Sequence, residues 1–332
     1  MSAQGVWAGL GDSVFLAGVE DRERDPARLV TSLLGGGALG FIAAICGMLL
    51  VMVTYAILIG DGPRGMEGLS DAARLVSNPL TITPGLTVLR LVVATAVDGV
   101  FLLVFVAAAA AIVRQPLGVY VAAAGRIRWG LLGVGVALSA AAMAPVVVAE
   151  RVLNAGGAEL PFLSISPVAG DRIVYCLSAL LLIPAAAAEE LFFRGWLLRQ
   201  TGAFLRRPIP LVVGTALTFS ALHLDFNPDA FLTRALMGAG FAYMTLRLGG
   251  IEFAAGAHAV NNMMIVLFLQ PLSLQQTPTP QFSAFSLVED VALIGGYVLI
   301  TELVARLPTL RRWAGVKAED ISPSRDVTAH FS

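Results

Sequence analysis

Residues 183–200 read IPAAAAEELFFRGWLLRQ. The stretch is apolar enough to lie in a bilayer, yet it carries Glu189, Glu190 and Arg194 close together. An ionisable group at bilayer depth is costly, so such groups mark places where a chain does something other than span lipid. Glu190 and Arg194 are spaced i, i+4, so on a helix they share a face and can pair. Glu189 lies roughly 100° further round the helix. It has Phe192 and Phe193 one turn on and no partner of its own along the helix. A carboxylate in a dry apolar setting is suited to general base or acid work near neutral pH. A buried ion-pair cluster that merely ties a bundle together explains these three residues equally well.

The rest of the chain agrees with a membrane setting. Of 332 residues, 57% are hydrophobic and only 14% charged, against about 25% charged in soluble domains. The net charge of -1 gives no signal for nucleic acid. Cys46 and Cys176 sit in apolar runs and read as small core residues, with no disulfide framework or CxxC site. Residues 20–28 are strongly charged and the first long apolar run begins near Leu33, which does not fit a cleavable signal peptide.

A spanning helix needs about 20 apolar residues. Apolar runs at 33–60, 86–113, 128–149, 173–200, 208–225, 230–248, 250–270 and 285–307 therefore predict an all-α, polytopic integral membrane bundle of about eight transmembrane helices. Pro208 and Pro210 open the fifth run, and Gly249-Gly250 parts the sixth from the seventh. Residues 1–30 form a cytoplasmic segment, 31–310 the membrane domain with its motif core at 173–270, and 311–332 a polar, frayed cytoplasmic tail. The uncharged, proline-containing 271–283 reads as a non-cytoplasmic loop. With both termini in the cytoplasm, most arginines fall on that side, including Arg114, Arg126, Arg199, Arg206, Arg207 and Arg312. Arg64, Arg74, Arg151, Arg172 and Arg234 fall opposite. This is the bias of the positive-inside rule. The Arg-over-Lys, Ala/Gly-rich composition points to a bacterial inner membrane.

Two further runs carry polar groups. Residues 219–223 read FSALH, ending in His223, and residues 258–262 read HAVNN, with His258 and Asn262 on one helix face and Asn261 pointing elsewhere. Each alone fits ordinary polar contact between membrane helices. Counted at about 1.5 Å per residue from the cytoplasmic ends, however, Glu190, His223, His258 and Asn262 arrive at similar depth.

The ordered set Glu189-Glu190-Leu-Phe-Phe-Arg194, Phe219-Ser-Ala-Leu-His223 and His258-Ala-Val-Asn-Asn262 resembles the EExxxR, FxxxH and HxxxN signatures of the CPBP intramembrane protease family. That family includes the eukaryotic Ras-converting CAAX endopeptidases. The resemblance implies an intramembrane peptidase in which Glu189 activates water, Glu190 and Arg194 orient it and brace the helix, and His223 sits beside the water. By the same resemblance, His258 and Asn262 stabilise the oxyanion. It leaves two schemes open: a zinc ion on Glu189, His223 and His258, or metal-free water activation, towards which the missing HExxH motif leans. The substrate it implies is a membrane-associated protein or peptide, not specifically a prenylated one, and no nucleic acid. Two other readings stand beside it: a non-catalytic scaffold or bacteriocin-immunity protein on the same fold, and a proton-coupled transporter using Glu189, His223 and His258 as a relay. The residues alone assign no role to Asp98, Glu289 or Asp290.

Overall fold

The computed structural model describes residues 9–58, 88, 91–93, 95–153, 159–269 and 284–322. Within them the chain is helical, with a lone backbone bridge between Ala122 and Gly250 as the one β-type pairing. The loop at 271–283, Arg64, Arg74, Arg90 and His330 lie outside the described residues. The principal helices are α1 (Pro26–Leu58), α2 (Val100–Val113), α3 (Trp129–Leu153), α4 (Ala169–Phe204), α5 (Pro208–Ala221), α6 (Pro228–Leu248), α7 (Glu252–Met264), α8 (Ala284–Arg306) and α9 (Pro308–Ala314). Five stretches are long and apolar enough to cross a membrane: Pro26–Thr54, Leu91–Val113, Trp129–Leu153, Ala169–Phe204 and Glu252–Leu269. α5 is apolar but shorter. α6 carries Asp229, Arg234 and Arg247, and α8 carries Glu289, Asp290 and Glu302, so both are more polar than a simple span.

Prolines set several starts. Pro208, Pro228 and Pro308 occupy first-turn positions, where the missing N–H costs nothing. Pro26 likewise opens α1, seven residues ahead of the apolar run, because the helix extends through the charged Arg28 before reaching lipid depth. α6 ends on Gly249 at φ 69, and the Gly250 N–H returns to the Thr245 carbonyl at 3.1 Å. This left-handed stop is open to glycine at little cost.

Close packing uses small residues. A Cβ on Gly256 of α7 would stand 2.8 Å from the Leu132 carbonyl oxygen and from the Val136 nitrogen of α3. A Cβ on Gly135 would meet the Phe253 carbonyl oxygen at 2.8 Å. The two backbones thus touch, as membrane helices do where glycine replaces larger residues. α1 lies at the periphery: Leu34, Phe41, Ile42, Leu50 and Ile57 are exposed. Cys46 is exposed on this helix and Cys176 only half-buried, so neither is the core residue its apolar surroundings predict. The reason is that apolar residues of a membrane helix can face lipid as well as the interior.

Both polar ends are folded in. Glu23 is buried and receives the Arg199 Nε at 2.7 Å and the Gln115 amide at 3.2 Å. Arg199 also donates to the carbonyls of Phe15 and Gly18. Phe15 and Leu16 are buried against Leu198, Leu211 and Leu246. At the other end, the predicted frayed tail is instead ordered through Ser322. α9 is followed by a short turn, and the Ser13 and Ser322 hydroxyls each lie 2.6 Å from the Leu246 carbonyl oxygen and 3.0 Å from each other. Arg247 donates to the Ser322 carbonyl and to Glu302. Residues 323–332 lie outside the described residues.

Two outcomes follow. Gly256→Leu should separate α3 from α7 and reduce the yield of monodisperse protein on gel filtration in detergent, whereas Gly133→Leu, facing open space, should not. Glu23→Ala strands a buried guanidinium and should cost about 3–5 kcal/mol of stability, read as a lower melting temperature. Adding Arg199→Leu should restore part of it.

Candidate active site

The site is built around the middle of α4. Its helix is not uniform: a 3₁₀ turn at Ala179–Leu181 precedes a regular stretch, and a π-helical stretch runs from Leu191 to Leu197, with the Leu198 N–H bonding back to the Phe193 carbonyl. Glu189 and Glu190 stand immediately before that widened turn. Similar π segments occur at Thr95–Gly99, leading into α2, and at Ile265–Leu269, continuing α7. Such insertions are often found where a helix must aim side chains at a site.

Arg194 Nη1 donates to Glu190 Oε1 at 2.9 Å, so the i, i+4 pair is made, and both side chains are buried. The guanidinium is held further by the Gly238 carbonyl at 3.2 Å and lies over the ring of Phe219, 4.3 Å from its centroid, with Phe241 at 5.2 Å. Stacking on ring faces favours a desolvated guanidinium. Glu190 Oε1 has a second partner, His258 Nδ1 of α7, at 2.8 Å. Glu190 Oε2 is buried without a hydrogen-bond partner among the described residues.

His258 is thereby part of the Glu190–Arg194 cluster. Its ring stacks on Phe241 at 5.0 Å and its Nε2 lies 3.8 Å from Glu189 Oε2. Glu189 is therefore not the unpartnered carboxylate that its position along α4 predicts, because its neighbour comes from another helix. Its side chain remains 24% exposed, while that of Glu190 is fully buried. One residue of the pair reaches accessible space and the other does not.

His223 lies just beyond α5, which stops at Ala221, and not inside the predicted 208–225 helix. The cause is local: His223 Nδ1 caps back onto the Phe219 carbonyl at 2.8 Å, and Leu224 turns the chain at φ 55. The imidazole is exposed, packs edge-on to Phe219 at 4.7 Å and lies within electrostatic reach of Glu189. Asn262 sits one turn beyond His258, half-buried, its side-chain oxygen accepting from Asn261 at 3.3 Å. Among the described residues no hydrogen bond joins Asn262 to Glu189 or His223.

Sequence reasoning missed Phe241 and Gly238. An aromatic and a small residue on an apolar helix carry no signal of their own, and only the meeting of α6 with Arg194 reveals them. Asp98 is exposed in the π segment before α2, and its charge acts on both Glu189 and His223. The neighbouring Gly99 places that turn against Ala188, with a Cβ there 3.8 Å from the Ala188 Cβ. Glu289 and Asp290, by contrast, lie with Glu150 and Thr233 and are not part of this cluster.

The zinc reading can be tested on this geometry. His223 and His258 each have Nδ1 engaged, as metal-bound histidines do. Yet no group of three His, Cys, Asp or Glu side chains among the described residues is gathered at metal-ligating separation. The residues as placed do not fit a resident metal.

Residues 172–264 match the Rce1-like family model, described as type II CAAX prenyl endopeptidase. The matched stretch runs from the first turn of α4 to the end of α7, and so contains Glu189, Glu190, Arg194, His223, His258 and Asn262. The chain is also similar to the uncharacterized protein YyaK of Bacillus subtilis (strain 168), 36% identical over 108 residues, which is 30% of this chain and 36% of that protein. The match thus spans about a third of that relative's length. No solved structure matches the chain.

Arg194→Ala should leave Glu190 and His258 without their cationic neighbour in a dry setting. We expect a lower melting temperature in detergent for Arg194→Ala, with a smaller loss for Arg194→Lys, which keeps charge but not the planar fork.

Proposed function

We propose that the protein is an intramembrane endopeptidase that hydrolyses a peptide bond in a membrane-associated protein or peptide, with water activated by Glu189. The observation that supports this reading most is the division of labour between adjacent carboxylates. Glu190 is fixed by Arg194 and His258, while Glu189 reaches accessible space beside His258 Nε2. The Rce1-like match over the same residues adds the reaction class.

In this mechanism a Glu189 oxygen takes a proton from water as the water oxygen attacks the scissile carbonyl carbon. The carbonyl oxygen gains negative charge, met by donors from His258 and Asn262 on α7. Collapse of the tetrahedral species breaks the C–N bond, and Glu189 returns the proton to the departing amine. His223 orients the water from the opposite side. The Glu190–Arg194 pair reacts with nothing and holds His258 in place. Donors set in advance in a water-poor site stabilise a developing oxyanion without reorganising. Asn262 acts from its position on the His258 face of α7, one turn nearer the C-terminal end of that helix.

Orientation belongs to the same proposal. Arginines gather in bonded groups: Arg22 donates to the Arg114 carbonyl, and Arg247 and Arg306 share Glu302. We assign these arginine-bearing helix ends to the cytoplasm by the positive-inside rule.

Glu189→Gln keeps the shape of the side chain and removes the base. Mass spectrometry of peptide termini from membranes of cells making wild-type or Glu189→Gln protein should show cleaved termini lost in the variant, a fall of about 10²–10⁴ in rate. Wild-type cleavage by well-folded Glu189→Gln protein would overturn the mechanism.

A further inference from the structure

Two tryptophans meet at the start of α3. The α3 span begins at Trp129, and α9 carries Trp313. A Cβ on Gly130 would stand 2.7 Å from the Trp313 carbonyl oxygen and 3.0 Å from the Ala314 carbonyl oxygen, so the backbone of α9 rests on the first turn of α3. Ala314 and Val316 are buried in one core cluster with Leu131, and Leu310 packs against it. α9 is therefore pinned at the depth where α3 starts. Its outer side is uncovered: Trp129 and Trp313 are each 70% exposed, and Ile127 is 43% exposed. An indole left in water is unfavourable, whereas tryptophan is enriched at the headgroup level of a bilayer, where its ring and its N–H both find suitable surroundings.

Three arginines flank these tryptophans in sequence. Arg126 and Arg312 are exposed and Arg311 is half-buried. None of the three has an ion pair among the described residues. The carboxylates near α9 in sequence are already engaged. Glu302 holds Arg247 and Arg306, Glu319 holds Lys317, and Asp320 accepts from the Lys317 N–H. The Arg311 Nε is moreover buried without a hydrogen-bond partner among the described residues. A planar guanidinium matches the oxygens of a phosphate. The surface is also held rigidly. Arg128, which separates Ile127 from Trp129, turns inward and donates to Glu252 and to the Leu248 carbonyl.

We propose that this surface binds anionic phospholipid, with headgroup phosphates on Arg126, Arg311 and Arg312 and the indoles of Trp129 and Trp313 seated beside them at headgroup level. A zwitterionic lipid would cover the rings but leave the arginines without net compensation. A soluble anion would compensate the arginines but leave the rings in water. A lipid with a net negative headgroup meets both needs, and basic residues beside a membrane helix attract such lipids. None of these residues belongs to the Glu189 cluster, so the proposal stands independently of the peptidase reading.

The test uses the full chain reconstituted in phosphatidylcholine vesicles that contain a minor fraction of phosphatidylglycerol. Either lipid is supplied with acyl chains brominated near the headgroup, which quench tryptophan on contact, at equal mole fraction of brominated lipid. Trp196 is buried and serves as an internal reference. The expected result is quenching by brominated phosphatidylglycerol at least about twofold stronger than by brominated phosphatidylcholine. The difference should vanish in the triple variant Arg126→Gln/Arg311→Gln/Arg312→Gln and in the double variant Trp129→Phe/Trp313→Phe. Arg312→Gln alone, an exposed change, should lower the difference in part and keeps the test open if the triple variant folds poorly. Equal quenching by the two lipids in the wild-type protein would overturn the proposal, and the surface would then await a protein partner. A preference that survives both multiple variants would overturn it as well. So would its loss on addition of glycerol phosphate, which would make a soluble phosphate the ligand.

Discussion

One carboxylate oxygen organises the centre of the bundle. Glu190 Oε1 accepts from Arg194 on its own helix and from His258 on another, and this shared acceptor joins α4 to α7 at the site. A fully buried charge is tolerable only with partners of this kind. Arg194 in turn spreads its charge over the rings of Phe219 and Phe241 and reaches the Gly238 carbonyl, drawing in α5 and α6. Four helices are thereby set around Glu189, which itself contributes little to holding them. The residue suited to chemistry is free to face accessible space because its neighbour carries the structural burden.

The helices that flank this centre share a departure from regular winding. α2 is entered through a π segment that contains Asp98, α4 passes through one just after Glu190, and α7 runs into one just past Asn262. An extra residue in a turn changes the direction in which the following side chains point without ending the helix. In α4 it keeps Gly195 against the Tyr120 backbone while Arg194 still meets Glu190.

The parts of this arrangement that could be read from the chain are those governed by short spacing. The Glu190–Arg194 pair follows from i, i+4, and the stop at Gly249-Gly250 follows from glycine's access to positive φ. The membrane setting follows from composition. What escaped was set by contacts between distant residues. Nothing near Glu189 announces His258, 69 positions away, as its neighbour, and nothing in FSALH shows that the helix ends before its histidine. The charged segment around Glu23 reads as solvated because charge runs usually are. Burying it depends on Arg199, Gln115 and Gln200 being in position to receive it. The exposure of Cys46 was hidden because an apolar helix gives no sign of which face meets lipid.

The meeting of Ser13, Ser322 and the Leu246 carbonyl gives the chain a nearly circular path. Two hydroxyls from opposite ends of the described chain share one acceptor, so the loop of backbone between them is closed by non-covalent bonds. During synthesis the helices enter the membrane one after another, but Arg247 has its carbonyl partner only once Ser322 has left the ribosome. Maturation therefore has a late step, in which helices already inserted lock this end of the bundle, with Arg247 held until then by Glu302 alone.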